Sequence, residues 1–321
     1  MSMQITIIGL DRTGLSIGLA LKKRSSSTQC TGFDINPDHL KTALEVKAVD
    51  KTESRLPSAV GNADIVLLNS LPVDVTGWMD DICGHMKQGA VLVNLASLHR
   101  QACEWAETDP SRKCSIVNAS ISINGNHLNT EEESADLFDN GIMIISTPKG
   151  VREEAVQQVL DLAALLGVSP MFADALEADG LISQSQLFPR LLALLYIQGL
   201  SSQSGWMDAR KVTGTQFWQM SKLLYEFTSG KSATFEIDAH KDSMLHLLDM
   251  MREQIDILED GIRRDDLDSL TVSIQKTLDE HGKWMSRRVT GDWEAQDAQL
   301  EVKSEGMWKK LFGMGLPKKK P

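Results

Sequence analysis

Six residues near the start of the chain, G-L-D-R-T-G from Gly9 to Gly14, lie between a β-branched apolar run and a stretch of helical periodicity. In a strand-turn-helix that receives a dinucleotide, the first glycine makes the bend, the second lets the backbone approach a pyrophosphate, and the third lets helix and strand pack closely. Gly9 and Gly14 meet that pattern, but Asp11 stands at the middle position. Its Cβ takes space that the ligand needs, and like unit charges about 4 Å apart repel by roughly 4 kcal/mol at an effective dielectric of 20. That is about three powers of ten in affinity. Arg12 and the helix N-terminus are expected to offset part of it, with Thr13 completing the turn. Asp34 closes the second apolar run, where an acid holds a ribose 2′-hydroxyl and favours NAD over NADP. Its other reading is a turn or helix-capping residue.

Proton transfer near neutral pH calls for histidine. His99 directly follows a strand end and is the best placed of the seven; its other reading is a first-turn residue at the rim of a cleft. His127, in the loop N-G-N-H-L-N, comes second, while His85, His240, His246 and His281 fall on expected helices as surface residues. Arg210 and Lys211 beside an apolar wall suit an acidic ligand, or else surface ion pairs. Trp206 and Trp218 read as core packing.

These residues need elements to place them. Residues 3–9, 29–34, 63–69, 90–94, 115–118, 142–147 and 168–172 read as strands, with helices at 12–23, after Asn36-Pro37, at 73–87 and at 151–166. Continuous apolar strands alternating with helices imply α/β architecture: a doubly wound, mainly parallel sheet covered on both faces. Helical periodicity alone follows, over 176–204, 207–228, 236–262 and 266–289. The first of these is apolar nearly all round, so it belongs at the centre of a helical domain or in a dimer interface. The expected organisation is an α/β domain over 1–172, a helical domain over 173–290 and a charged tail over 291–321. That tail carries Trp308, Leu311, Phe312 and several lysines, and reads as a solvated end or as a contact to a partner or an anionic membrane surface.

At 321 residues the chain has room for two domains. Its formal charge of −11 excludes nucleic acid as a partner of the folded part, and no apolar run is long enough to span a membrane. Cys30, Cys83, Cys103 and Cys114 are widely spaced without zinc-ligand patterns, so reduced thiols, no metal and a cytoplasmic setting are expected. The N-terminus lacks the features of a signal peptide.

In this frame the sequence resembles the prephenate/arogenate dehydrogenase family over about residues 3–290. The stretches that carry the resemblance are I-T-I-I-G-L with T-G at the first turn, V-L-L-N-S-L-P-V (66–73), V-L-V-N-L-A-S (91–97), A-D-L-F-D-N-G-I-M-I-I-S-T-P (135–148), E-A-D (177–179), L-F-P (187–189) and G-W-M-D-A-R-K-V (205–212). The resemblance implies a Rossmann domain followed by a helical dimerisation domain, an NAD(P)-dependent oxidative decarboxylation of a cyclohexadienyl acid, and Leu71 and Pro72 among the cofactor-binding residues.

The departures from the family pattern bear on activity. Ser120 in N-A-S-I-S-I-N-G stands where the family has its proton-accepting histidine, and serine is no general base near pH 7 without a partner. Ser97 is retained, with Asn94 and His99 in place of the family's acid and lysine; Ala178 replaces a second histidine. The substrate arginine appears as Lys211, which keeps the charge but loses the bidentate fork. Ser97, His99 and Ser120 are therefore the candidate catalytic residues, and Arg210 and Lys211 the candidate substrate ligands. Two readings follow. One is a homodimeric protein that has lost the tyrosine-pathway reaction and keeps the fold for binding or regulation. The other is a divergent NAD-dependent oxidoreductase acting on a small acidic substrate.

Overall fold

A computed structural model describes residues 3–69, 75–109 and 111–293. Leu71, Pro72 and almost all of the basic tail lie outside these residues. The sheet is built from β1 (Gln4–Ile8), β2 (Gln29–Phe33), β3 (Lys51–Thr52), β4 (Ile65–Leu68), β5 (Val91–Asn94), β6 (Ser115–Ile121), β7 (Ile142–Ser146) and β8 (Ser169–Phe172) in the order β3-β2-β1-β4-β5-β6-β7-β8. All pairings are parallel except that of β6 with β7. Alternation of side chains along the strands supplies two cores. Ile5, Ile7, Leu67 and Val93 face one layer with Ile17, Leu21 and Leu162, while Ile8, Val66, Leu68 and Leu92 face the other with Met79 and Trp105.

The helices of the sheet region are α1 (Arg12–Arg24), α2 (Pro37–Glu45), α3 (Leu56–Val60), α4 (Val75–His85), α5 (His99–Glu107) and α6 (Glu153–Leu166). The helical region follows as α7 (Ala175–Ile182), α8 (Phe188–Ser201), α9 (Trp206–Ala209), α10 (Thr215–Lys222), α11 (Gly230–Ala239), α12 (Lys241–Arg263) and α13 (Leu267–Thr290). Between α7 and α8 the ladder widens into a π turn over Ser183–Leu187, a feature that often marks functional sites. The small core of the helical region joins Leu187, Phe188 and Leu191 to Met244 and Leu247. The end of α13 returns to the sheet, where the amides of Asn124 and Asn140 donate to the carbonyl of Val289.

Several expectations are corrected. Cys83 at the end of α4 and Cys114 before β6 are joined as a disulfide with Cα atoms 5.8 Å apart, leaving only Cys30 and Cys103 as thiols. The run 236–262 is two helices that break at His240, which is buried rather than on the surface. The run 207–228 is likewise broken into α9, α10 and a 3-10 turn. Trp218 is exposed, not core, and Trp206 stacks against Phe217 instead.

Candidate active site

Gly9, at the end of β1, has φ +88°, and a Cβ there would meet the carbonyl oxygen of Asn69 at 1.8 Å; one on Gly14 would meet that of Gly9 at 2.0 Å. Both glycines thus serve the close packing of strand, turn and helix. Asp11 caps α1: its Oδ1 accepts from the Gly14 N–H at 3.0 Å and from Asn69 Nδ2 at 2.7 Å. A helix N-terminus is a ready-made anion site, and here the chain's own carboxylate fills it. Arg12 does not relieve that charge as expected. Its guanidinium donates to the carbonyls of His127 and Glu132 and to Thr130 Oγ1, fastening the loop after β6 across the turn. His127 therefore enters through its backbone, and Thr13 lies in the first turn of α1.

Asp34 takes the turn role, the second of its two expected readings. Its Oδ2 accepts from the Leu10 N–H at 2.7 Å and sits 3.0 Å from His39 Nδ1, and its Oδ1 accepts from the Asn36 N–H at 2.8 Å. Asn36, not Asp34, caps α2. The carboxylate keeps acceptor capacity for a ribose hydroxyl. The turn thus keeps an acceptor at its Asp34 end, while at its α1 end the Gly14 N–H is occupied by the Asp11 carboxylate.

The second group of residues gathers at the carboxyl end of β5, where an open α/β sheet places its ligands. His99, 0% exposed, begins α5 rather than lining a rim. Its Nε2 lies 2.9 Å from Ser120 Oγ on β6, and its Nδ1 lies 2.9 Å from Ser146 Oγ on β7. Asn94 donates to Asn118 Oδ1, and Asn118 Nδ2 reaches Ser146 Oγ, Cys103 Sγ and the His99 carbonyl. Burial pushes the imidazole down to about 4, so the ring is neutral near pH 7. Burial likewise pushes the Cys103 thiol up to about 11, which leaves it inert. Ser97 lies in the bend before α5 and makes no side-chain hydrogen bond among the described residues.

Helix α5 is capped from the helical region. Asp179 on α7 accepts from the N–H groups of His99 at 2.7 Å and Arg100 at 3.1 Å. Burial raises this carboxyl to about 6 despite those two bonds. Beyond it lie Arg190 on α8, bonded to Glu236 Oε2 at 2.6 Å, and His240. Arg190 went unnoticed in the sequence because it sits in an apolar helix, and His240 was read as a helix-surface residue although it lies buried at the break between α11 and α12. Arg210 and Lys211 are exposed, and Lys211 pairs with Asp208 at 2.8 Å. Among the described residues no hydrogen bond or ion pair joins either to the His99 cluster.

A Rossmann-type, mainly parallel sheet followed by a helical C-terminal region defines the class of this molecule by its fold. Within that class the chain resembles the prephenate dehydrogenases. The family profile described as "Prephenate dehydrogenase, nucleotide-binding domain" matches residues 17–171. The prephenate dehydrogenase of Bacillus subtilis (strain 168) is 22% identical over 272 residues, covering 83% of this chain and 72% of the relative. The Aquifex aeolicus prephenate dehydrogenase, solved with hydroxyphenyl propionate and NAD+, superposes with a TM-score of 0.73 at 14% identity, over 88% of this chain and 98% of that one. Synechocystis arogenate dehydrogenase gives a TM-score of 0.65 at 17% identity, over 88% and 100%.

Proposed function

We propose that the chain is a prephenate dehydrogenase-like protein that no longer performs the tyrosine-pathway dehydrogenation and keeps its scaffold as a binding or regulatory homodimer. The observation that supports this most directly is the Asp11 carboxylate seated on the Gly14 N–H in the first turn of α1, with Asn69 holding it there. That no hydrogen bond or ion pair among the described residues joins Arg210 or Lys211 to the His99 cluster supports the same reading. The test is a calorimetric titration of the full chain with NAD, NADP and their reduced forms. No heat is expected up to about millimolar ligand, and Asp11→Gly is expected to restore binding by about two to three powers of ten. Micromolar binding by the wild type overturns the reading.

The second reading, a divergent NAD-dependent oxidoreductase on a small acidic substrate, is favoured by the 2.9 Å approach of His99 Nε2 to Ser120 Oγ. It requires the tautomer that donates from Nδ1 to Ser146, so that Nε2 receives a proton through Ser120. Asp34 then favours NAD over NADP. No helix among the described residues is long and apolar enough to cross a membrane. The proposed cytoplasmic setting rests on the sequence, and the Cys83–Cys114 disulfide weighs against it.

A further inference from the structure

The chain leaves β6 at Ile121 and enters its antiparallel neighbour β7 at Ile142. About two to five residues suffice for such a turn, so residues 122–141 form a long connection, and long connections in compact domains are usually functional. This one reaches α1, although β4 and β5 separate β1 from β6 in the sheet. Both of its ends are rooted. Asn124 and Gly125 are buried against the end of α13, and Leu137 and Phe138 are buried in the core layer that holds α1. Ser134 donates its N–H to Ser16 Oγ at 3.1 Å, and Asp136 pairs with Lys23. From Asn126 to Glu132 the backbone between these roots is exposed apart from a half-buried His127, and its large apolar side chain, Leu128, is 39% exposed. Among the described residues, the hydrogen bonds and ion pairs that tie this stretch to other elements come from two side chains. Arg12 donates to the His127 carbonyl at 2.9 Å, the Glu132 carbonyl at 3.0 Å and Thr130 Oγ1 at 3.1 Å, and Lys222 of α10 pairs with Glu131.

We propose that residues 126–133 form a lid over the Asp11 turn, latched to α1 by Arg12 and tied to α10 by Lys222, which swings clear before the turn admits a ligand. A segment with rooted ends, an exposed middle and few apolar contacts opens at low cost once its polar ties are cut. One guanidinium supplies three of those ties, and bonds to a charged donor are the stronger kind. The lid also carries the run Glu131-Glu132-Glu133 to the side of Arg12, so closure opposes an anionic ligand by charge as well as by bulk. Because its second tie is on α10, the helical region takes part in keeping the turn shut. The proposal rests on the reading that the Asp11 turn is where a dinucleotide would enter, and adds a closure that no substitution of Asp11 removes.

The test is cleavage of the folded full chain by a glutamate-specific protease, with the fragments cut after Glu131, Glu132 and Glu133 followed by mass spectrometry. Arg12→Ala is expected to raise cleavage there about tenfold or more and Lys222→Ala about threefold, with glutamates elsewhere cut at the wild-type rate. Melting curves show whether Arg12→Ala folds; Lys222→Ala, at an exposed side chain, decides the matter if it does not. An unchanged rate in the deciding variant, or a rise shared by all glutamate sites, overturns the lid. In the Asp11→Gly chain, adding Lys222→Ala is expected to tighten NAD binding about threefold, since a smaller share of the molecules is closed. Equal affinity, or binding by neither chain, overturns the part the lid plays at the turn. NAD binding by the wild type overturns the Asp11 reading and leaves the lid to be decided by the cleavage rates.

Discussion

His99 and Asp179 touch, yet they pull the pH dependence of stability in opposite directions. The imidazole is held at about 4 against 6.5 when free. Between those values the unfolded chain binds the proton and the native one does not, so stability falls as pH falls from 6.5 to 4. The shift corresponds to at most about 3 kcal/mol. His240 acts in the same sense. Asp179, raised to about 6 from 3.8, takes up its proton more readily when folded, so its contribution grows as pH falls through that window. His99→Asn is therefore expected to flatten the acid-side loss of melting temperature between about pH 4 and 7, and Asp179→Asn to steepen it. Wild-type slopes in both variants would show that this cluster does not govern the acid limb. His99 was legible as a candidate because it follows a strand end, and Ser120 because it stands where the resembled family has its histidine; the structure places the two 2.9 Å apart. His240 was not, since the reversal that turns it inward is a break in a helix whose polar pattern runs on unbroken.

At the level of elements, the strands of the sheet announce themselves because IVLL and VLVN are buried on both faces and so read as unbroken apolar runs. The two-residue β3 and the short α3 are too small to leave a period. The disulfide was hidden for another reason. Cys83 and Cys114 are 31 residues apart in sequence, and only the folding of α4 and α5 onto one face of the sheet brings them together in the same core layer. Closing a loop of that size removes roughly 3–4 kcal/mol of denatured-state freedom in the chain-entropy account. Reduction is accordingly expected to lower the melting temperature of the wild type, and to leave a Cys83→Ser, Cys114→Ser variant unchanged, as differential scanning calorimetry with and without reductant will show.

For the molecule as a whole, the long helices α12 and α13 leave Leu245, Ile255, Ile262, Val272 and Leu278 exposed, with Val272 at 70%. Large apolar side chains left exposed on two long helices suit an association surface, and the proposed homodimer would cover them with the same helices of a second copy. Light scattering on a sizing column is expected to give twice the chain mass, and Ile262→Asp with Val272→Asp to give the monomer. A monomeric wild type at tens of micromolar would sink the dimer.

The carbonyl of Val289, held by Asn124 and Asn140, gives the helical region a second foothold on the sheet. The chain leaves the sheet after Phe172 and is pinned to it again near the end of α13. Those helices hang like a handle with two feet, not like a flag from one pole. A backbone nick between the feet would leave each half still moored, so the molecule is suited to assembly from two complementary fragments.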